Sequence, residues 1–407
     1  MRTVPIDPAT TTEPARPDRR LPLNRRRLLR LLGAGGVTIA VAGTGALSYR
    51  VYDTAALDPG HGDAYDPWRH WRDTPGLLGA VGAAVLAASP HNTQPWIFGI
   101  RADAVDVFVD AGRGTGTVDP FRREQHIGIG CALENLVLAC QARGLRPEVA
   151  LLPDGPAGPR LAEVNVRPGT PVPSPLHDAI GDRHTNRGPF EAAAVPRETL
   201  GELAGRSDVS GLEVHWITDP APRAALSRLL VDAAVALCAD DRQSRDNFAW
   251  FRGHDDEIQR HRDGLTLGGQ GFGPLMLAVS RLLPASSRVD GDRFWVKQTA
   301  TVHTATAAAY GVITAAAPDD RAIQLEAGRL LERVHLAATS RGVALHHMNQ
   351  ITERIDRERE TGVAPTFGPR FAELLPRGAQ PLLTFRVGYP VRTAQPAPRR
   401  SARSVTR

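Results

Sequence analysis

The sequence predicts an α+β fold made of two related halves. Its 407 residues are enough for two to three domains of ordinary size. Amphipathic helices and short alternating strands are predicted in both halves of the chain. Residues 130–144 and 328–342 match at Gly, Leu, Glu, Leu, Ala, Arg and Gly. Two Leu- and Ala-rich helices that end in Arg-Gly can match by composition alone, but duplication of a unit of roughly 200 residues is the more specific interpretation.

Composition and charge exclude several classes of protein. Hydrophobic residues make up 42% of the chain and charged residues 23%, which excludes a wholly disordered chain and a polytopic membrane protein. Residues 1–50 carry nine arginines and three acids, residues 391–407 carry five arginines and no acid, and the net charge is +5. The body between the two ends is therefore acidic. We expect no nucleic-acid binding, because that requires a basic face on the folded domain.

Three segments precede the predicted folded body. Residues 1–24 are poor in large apolar residues, and we expect disorder there. Residues 25–50 place three arginines (Arg25, Arg26, Arg27) before nineteen uncharged residues, a pattern that resembles a twin-arginine export signal or an uncleaved membrane anchor. A buried N-terminal helix with a chance arginine cluster is the alternative. Residues 51–66 are predicted to be a linker.

This segment determines the predicted location. We expect an exported or membrane-anchored protein of the cell envelope, with membrane association through residues 25–50. Attachment to the cytoplasmic face of the membrane is the alternative.

The cysteines Cys131, Cys140 and Cys238 are odd in number and lie in apolar runs, so they predict core positions rather than a disulfide framework.

The first half is assigned to residues 67–175 and the second to residues 176–400, with a tail at 401–407. A Pro-rich connector at 167–175 marks the boundary. In the first half the apolar spacing predicts helices at 77–88 and 127–144 and strands at 96–100, 105–109, 148–152 and 161–166. In the second half it predicts helices at 196–204, 222–239, 301–316 and 322–342 and strands at 212–217 and 381–388.

The most specific motif joins a helix to a strand at residues 88–96, Ala-Ser-Pro-His-Asn-Thr-Gln-Pro-Trp. Amide and hydroxyl side chains before a rigid proline suit a loop that hydrogen-bonds a planar heterocycle, and Trp96 would anchor the loop by packing. An ordinary polar turn before a strand is the alternative. The segment resembles the Ser-x-x-Asn-x-Gln-Pro-Trp motif of FMN-dependent nitroreductases, and Pro90 stands where that family usually has a small polar residue.

Two basic motifs lie in the second half. Arg183 and Arg187 flank the hydroxyl of Thr185, an arrangement that can hold a terminal phosphate through charge-assisted hydrogen bonds. In an Arg-rich chain such a match also occurs by chance on a solvated surface. Arg399 and Arg400 follow a strand that exits through Gly-Tyr-Pro, and the alternative for them is a disordered basic tail.

Both basic motifs resemble the phosphate-binding segments of nitroreductases. The family's arm has serine where this chain has Thr185, and its phenylalanine lies two residues after the second arginine, whereas Phe190 lies three residues after Arg187. Together with the loop at 88–96, the motifs resemble the Acg family of FMN-binding oxidoreductases, a divergent nitroreductase branch with two nitroreductase-like units in one chain. The resemblance extends from about Pro67 to Arg400.

The resemblance implies a nitroreductase-like pseudo-dimer with FMN between the halves. In homodimeric nitroreductases one subunit supplies the phosphate arginines and the other supplies the Ser/Asn loop. Here the first half has the loop and the second half has both basic segments, so the halves are complementary. The implied flavin-ring contacts are Ser89, Asn92 and Gln94, and the implied phosphate contacts are Arg183, Thr185, Arg187, Arg399 and Arg400.

The implied activity is hydride transfer from NAD(P)H through FMN to an unknown small-molecule acceptor. A non-catalytic flavin-binding protein that stores FMN is the alternative, and a degenerate fold with an interaction role at the membrane is a third reading. No side chain needs to act as an acid or base, so we name no catalytic residue. Whether the chain is a monomer or a homo-oligomer stays open.

Two other clusters carry less weight. Neither residues 254–257 with His261 nor the pair His346 and His347 has a recognised metal-ligand spacing, so we expect no metal and place them on solvated helix faces. Residues 250–273 are charged and then glycine-rich. They lie where the family carries an insertion near the flavin and could form a lid, although an ordinary surface loop fits equally well.

Overall fold

The computed structural model describes residues 60–204, 209, 211–282 and 286–407. The predicted disordered segment, the export signal and most of the linker therefore lie outside the described residues. In the part of the chain that the structure describes, no helix combines the length and apolar character that a membrane span requires.

Ten strands and thirteen helices, numbered in chain order, build the described part of the chain. The strands are β1 (Trp96–Ile100), β2 (Ala104–Val109), β3 (Leu145–Leu151), β4 (Arg160–Pro168), β5 (Glu213–Ile217), β6 (Phe251–Arg252), β7 (Leu265–Thr266), β8 (Ala309–Ala315), β9 (Ala344–His347) and β10 (Gln380–Gly388). The first helices are α1 (Asp66–His70), α2 (Gly76–Ala84), α3 (Arg123–Ala142), α4 (Pro175–Asp178), α5 (Arg197–Leu203), α6 (Pro220–Ala239) and α7 (Asp241–Phe248). The remaining helices are α8 (Asp255–His261), α9 (Pro274–Leu282), α10 (Arg288–Gln298), α11 (Arg321–Ser340), α12 (Gln350–Thr361) and α13 (Phe367–Ala372).

Two four-stranded antiparallel sheets have the same topology. The first has the order β1-β2-β4-β3 and the second the order β5-β8-β10-β9. In each sheet a long helix, α3 or α11, follows the second strand in chain order and precedes the other two strands. The same unit therefore occurs twice, and the predicted α+β fold with two fused halves is confirmed.

The two long helices pack against each other through equivalent positions. A Cβ on Gly130 would lie 2.0 Å from the carbonyl oxygen of Leu325, and a Cβ on Gly328 would lie 2.0 Å from that of Ile127. Both pairs are related by the offset of the sequence repeat. Such reciprocal contacts are the signature of a twofold interface between two copies of one unit. Glycine is required at both positions because any side chain would collide with the opposing backbone.

Most elements predicted from apolar spacing are confirmed, but one is wrong. Residues 301–316, predicted as a helix, contain a short π-helical turn (Thr299–His303) followed by strand β8. All seven residues of β8 are buried, because the strand lies inside the second sheet with both faces covered. A strand buried on both faces shows no alternation of polar and apolar residues, so its Ala-rich sequence resembled a helix.

The halves differ in the connection between their first two strands. In the first half, β1 and β2 form a hairpin joined by three residues, 101–103. In the second half, the equivalent connection between β5 and β8 holds helices α6 to α10 and the small parallel pair β6 and β7. Residues 250–273 belong to this long insertion. It is the element that reaches from the second half to the Ser/Asn loop of the first.

Candidate functional site

The Ser/Asn loop leaves α2 and enters β1 in a constrained conformation. His91, Asn92 and Gln94 all have positive φ angles, of 48°, 56° and 52°. Residues other than glycine adopt this region only when surrounding contacts hold them there. One such contact is local, since the Oγ of Ser89 accepts a hydrogen bond from the amide of Gln94 at 3.1 Å. Strain of this kind clusters at ligand-binding sites, and whether this loop binds a ligand stays a prediction.

The side chains of Asn92 and Gln94 are buried and form hydrogen bonds with other segments of the chain. Asn92 Nδ2 donates to the carbonyls of Pro398 and Gly264, at 2.9 and 3.1 Å, and its Oδ1 accepts from Arg399. Gln94 Nε2 donates to the carbonyl of Arg262 at 2.8 Å, and its Oε1 accepts from the amide of Arg400 at 2.8 Å. The loop is thus joined to the C-terminal basic segment and to the insertion.

Arg183 and Arg399 lie side by side at the end of α2. Both donate to the carbonyl of Leu86, at 2.7 and 3.3 Å, and Arg399 also donates to that of Ala87 at 3.1 Å. Carbonyls just past the C-terminus of a helix lack intrahelical partners and attract cations. The two arginines come from separate segments of the second half, and the first half brings them together.

One buried carboxylate and one indole enclose this arginine pair. Glu332 of α11 has no exposed surface, and its Oε1 lies 3.1 Å from the Nε of Arg183. On the other side, the guanidinium carbons of Arg399 and Arg183 lie 4.9 and 5.9 Å from the ring centroid of Trp68. Burial holds the pKa of Arg399 well below its usual range, as does the neighbouring positive charge of Arg183.

Arg187 lies where the loop, the insertion and strand β9 meet. Its guanidinium donates to the carbonyl of Gly269 in the insertion at 3.3 Å, and among the described residues it has no carboxylate partner. Burial lowers the pKa of Arg187 to about 10. Burial also lowers the pKa of His91 in the loop, and the positive charge of Arg187 lowers it further. Arg187 therefore brings an uncompensated cation to the junction.

Arg386, a buried arginine on β10, also belongs to this region and was not predicted from the sequence. Its guanidinium donates to the carbonyls of Gly188 and His303, at 2.7 and 3.0 Å, and to the Nδ1 of His346 at 3.1 Å. It therefore fixes the segment that follows Arg187 onto the second sheet. Burial lowers the pKa of Arg386 to about 9, and the positive charge of Arg187 adds to this effect. In an Arg-rich chain nothing in the sequence distinguishes it from surface arginines.

The prediction that His346 and His347 lie on a solvated helix face is wrong. They lie on β9, the edge strand of the second sheet, and His346 is 5% exposed. The Nε2 of His347 is buried and has no hydrogen-bond partner among the described residues. Burial lowers the pKa of His347 to about 3, together with the positive charges of Arg187 and Arg183. Both imidazoles are therefore neutral and lie beside the positively charged arginines.

The charge balance of this region is the main electrostatic feature of the site. Four buried or half-buried arginines (Arg183, Arg187, Arg386, Arg399) converge here. Within the described ranges, Glu332 is the one carboxylate that forms an ion pair with any of them. Buried charges are costly unless they are compensated. The region therefore carries an excess of positive charge that an anion would neutralise.

Two further predicted residues lie at the margins of the site. Arg400 is half-buried, and its guanidinium lies 3.6 Å from the carboxylate of Asp110. Its own charge is therefore already compensated. Thr185 is half-buried next to the arginine arm, and its hydroxyl has no hydrogen-bond partner in the part of the chain that the structure describes. It is thus a donor available to a ligand.

An ion-pair cluster in the insertion fastens it to the first half. Asp263 is 3% exposed, accepts from Arg113 of the first half, and accepts from Arg252 Nε at 2.9 Å. Both guanidinium groups also pack over the ring of Trp250. The insertion therefore closes over the Ser/Asn loop in this structure.

The chain is similar over most of its length to proteins named as nitroreductases. No family model matches it. It is 28% identical over 353 residues to the putative NAD(P)H nitroreductase Rv3131 of Mycobacterium tuberculosis, covering 85% of this chain and 93% of that protein. Over 117 residues it is 32% identical to the putative NAD(P)H nitroreductase acg of the same organism, covering 28% of this chain and 35% of that protein. These relatives support a nitroreductase-like class for the chain.

Solved structures that are also named as nitroreductases are less similar to this chain. A protein of Anabaena variabilis named as a putative nitroreductase matches with a TM-score of 0.40 and 10% identity, covering 79% of this chain and 91% of that chain. A nitroreductase of Desulfitobacterium hafniense with bound FMN has a TM-score of 0.33 and 15% identity, covering 55% and 94%. The FMN-dependent nitroreductase NfnB of Mycobacterium smegmatis, in complex with NADPH, has a TM-score of 0.31 and 17% identity, covering 57% and 97%.

Proposed function

We propose that the protein is an FMN-dependent oxidoreductase of nitroreductase type, of the Acg branch. The observation that carries the proposal is the excess of buried positive charge where the first-half loop meets the second-half arginines. The FMN phosphate carries a charge of about −2 at neutral pH and suits such a region. The relatives named as NAD(P)H nitroreductases support the same class.

The residues present fit the phosphate group. Arg183, Arg187 and Arg399 supply guanidinium donors, and Thr185 supplies a hydroxyl without another partner. Arg400 contributes least to phosphate binding, because Asp110 already compensates its charge. The guanidinium groups of Arg183 and Arg399 now donate to the carbonyls of Leu86 and Ala87. They would turn toward the phosphate, because it is a stronger acceptor than a neutral carbonyl.

The Ser/Asn loop would contact the flavin ring. Because the amides of Asn92 and Gln94 donate to Gly264 and Arg262 of the insertion, a ring edge must replace these carbonyls or rest on the backbone beside them. The Oγ of Ser89 is held by the amide of Gln94 and keeps the loop in its strained shape. Binding of the ring is therefore expected to be coupled to movement of the insertion.

When bound, FMN supplies the redox chemistry by accepting a hydride from NAD(P)H and passing reducing equivalents to a small-molecule acceptor. This chain binds, orients and shields the reacting groups. The neutral, buried imidazoles of His346 and His347 and the closed insertion would keep water away from the bound ring. No described side chain needs to transfer a proton, so we assign no catalytic acid or base.

Storage of FMN without turnover is the second candidate function. The observation that favours it is the closed insertion, since the buried Asp263 ion pairs hold it over the loop. Storage and catalysis need the same phosphate site, and they differ in whether a reductant reaches the ring.

A reduction experiment separates the two functions. The purified protein is loaded with FMN, and NADPH or NADH is added anaerobically while the visible spectrum is recorded. Rapid bleaching by either donor is expected for the oxidoreductase. A yellow protein that neither donor bleaches would establish storage, and a colourless protein that does not bind added FMN would exclude both functions.

We also propose export or membrane anchoring through residues 25–50, which lie outside the described residues. Replacing Arg25, Arg26 and Arg27 with lysine keeps the charge but removes the guanidinium groups that a twin-arginine receptor recognises. Export is expected to stop, and the protein should become resistant to protease added outside the cell. Unchanged accessibility to protease would refute this route.

A further inference from the structure

Glu332 is the buried carboxylate beneath the arginine pair of the site. It lies on α11, has no exposed surface, and places Oε1 3.1 Å from the Nε of Arg183. Its Oε2 lies 3.5 Å from the amide of Ala88, at the start of the Ser/Asn loop. Oε1 has no hydrogen-bond partner among the described residues. The carboxylate thus touches the arm and the loop at once.

The groups facing Glu332 come from every element packed around it. The arm supplies Arg183 and the C-terminal segment supplies Arg399, whose positive charges both act on Glu332. Helix α3 supplies the amide of Asn135 and the thiol of Cys131, with Glu134 in the next position. His335 on α11 and His184 in the arm lie beyond Arg183, and burial next to Arg183 lowers the pKa of each.

Counting these charges shows what phosphate binding would do. The pair Arg183 and Arg399 with ionised Glu332 has a net charge of +1, because the thiol and the imidazoles are neutral. Arg187 brings one further positive charge to the same phosphate, so a phosphate of charge about −2 would make the sum close to zero with Glu332 still ionised. The carboxylate and the phosphate would nevertheless share Arg183 and Arg399 in a buried region, and protonation of Glu332 would remove the repulsion between these two anions.

We propose that Glu332 is a positioning residue that holds Arg183 and Arg399 together in the free protein and takes up one proton from solvent when the FMN phosphate binds. The inference rests on the proposed function and extends it to the linkage between flavin binding and pH. Burial already raises the pKa of Glu332, although Arg183 opposes that effect. A phosphate drawn to the same arginines would weaken their hold on the carboxylate and favour its protonated form.

Calorimetry of FMN binding at pH 8 counts the protons. At this pH the FMN phosphate is already fully ionised, since its second pKa is about 6. Binding enthalpies in two phosphate-free buffers with different ionisation enthalpies give the number of protons taken up. We expect close to one proton per FMN and none for riboflavin, which lacks the phosphate. By linkage, the FMN dissociation constant should rise by up to tenfold per pH unit.

Two matched variants assign the proton. Glu332→Gln should abolish the uptake and flatten the pH dependence of FMN affinity. Glu134→Gln is the control, because Glu134 occupies the equivalent position of the repeat, is 5% exposed, and pairs instead with Arg329 and Arg333. It should leave the proton count unchanged.

The outcomes separate this inference from the proposed function. FMN binding without proton uptake in the wild type, or uptake that persists in Glu332→Gln, would overturn the role of Glu332 and leave the flavin site intact. Equal uptake with FMN and riboflavin would overturn it too, and this comparison needs no variant to fold. Absence of FMN binding would overturn the proposed function itself.

Discussion

Arg187 and Arg183 are both arginines of the predicted phosphate arm, but their surroundings differ. Arg187 has no carboxylate partner among the described residues, whereas Arg183 compensates the buried Glu332. Removing Arg183 would leave that carboxylate with Arg399 alone, and breaking a buried ion pair typically costs about 3–5 kcal/mol of stability. Arg187 is therefore the residue that tests phosphate binding without a confounding loss of fold.

We predict that Arg187→Ala weakens FMN binding by about 1.5–3 kcal/mol, or roughly 10- to 150-fold, because a charge-assisted hydrogen bond is lost. Flavin fluorescence titration measures the affinity, and urea unfolding should show little change. Arg197→Ala is the control, since that side chain is 84% exposed and lies in α5, away from the site. Unchanged affinity in Arg187→Ala would remove this residue from the phosphate site.

A second residue-scale effect concerns pH and a buried acidic cluster at the start of α3. Burial raises the pKa of Glu124 to about 7, and Arg123 opposes the effect. The folded protein therefore keeps a proton that the unfolded chain releases near its ordinary pKa of about 4.5. Because the folded state binds more protons in this window, stability falls as pH rises from about 4.5 to about 7.

We predict that Glu124→Gln, which keeps the neutral form at all pH values, reduces this loss of stability. Urea unfolding at pH 5 and pH 8 should show a smaller difference for the variant than for the wild type. Glu198→Gln, at an exposed position in α5, is the control and should behave as the wild type. A variant with the same pH dependence as the wild type would mean that Glu124 is ionised in the folded protein.

At the scale of elements, the insertion contacts the Ser/Asn loop and is fastened to the first half. Its attachment depends on Asp263, which pairs with Arg113 across the two halves and with Arg252 within the insertion. We predict that Asp263→Asn increases amide hydrogen exchange of residues 250–273 at least tenfold, because two buried ion pairs lose their charge. Faster FMN release should accompany it.

The control for this prediction is Asp256→Asn in α8 of the same insertion. That carboxylate is 63% exposed and pairs with Arg260 one turn away, an arrangement that contributes little to stability. Its exchange should match that of the wild type. Equal exchange in Asp263→Asn and the wild type would show that other contacts hold the insertion closed.

Elements with a clear apolar period could be predicted from sequence, and those shaped by tertiary contacts could not. The strand of residues 96–100 and the long helices α3, α6 and α11 follow their apolar patterns closely. Strand β8 is buried on both faces, so the expected alternation is missing. The short edge strand β9 depends on pairing with β10, which lies more than thirty residues away in the chain.

The same division applies to the candidate site. The loop at 88–96 and the basic segments could be found by motif, because their residue types and spacing are local. Arg386, His347 and Glu332 could not, because each becomes part of the site through contacts with distant segments. Whether the eight motif residues bind FMN stays a prediction. The side-chain amides of Asn92 and Gln94 already form hydrogen bonds with the insertion, and no sequence pattern indicates this.

For the whole molecule, the repeat places two buried glutamates, Glu332 and Glu134, at equivalent positions whose surroundings differ in charge. On one side, the arginines around Glu332 outnumber their carboxylate partners. On the equivalent side, Arg329 and Arg333 pair with Glu134, and Arg329 also pairs with Glu326, so positive and negative charges are equal in number. A phosphate of charge about −2 would meet no excess cation there. We therefore predict that one chain binds one FMN.

Titration of the purified full-length protein with FMN, with bound flavin released by heat and counted against protein, tests the central claim most directly. We predict saturation at a ratio close to one, because, of the two equivalent sites among the described residues, the one with the Ser/Asn loop, Arg187 and Glu332 has the excess positive charge. A ratio near two would show that the balanced site also binds phosphate. No binding would contradict the assignment of this site to FMN.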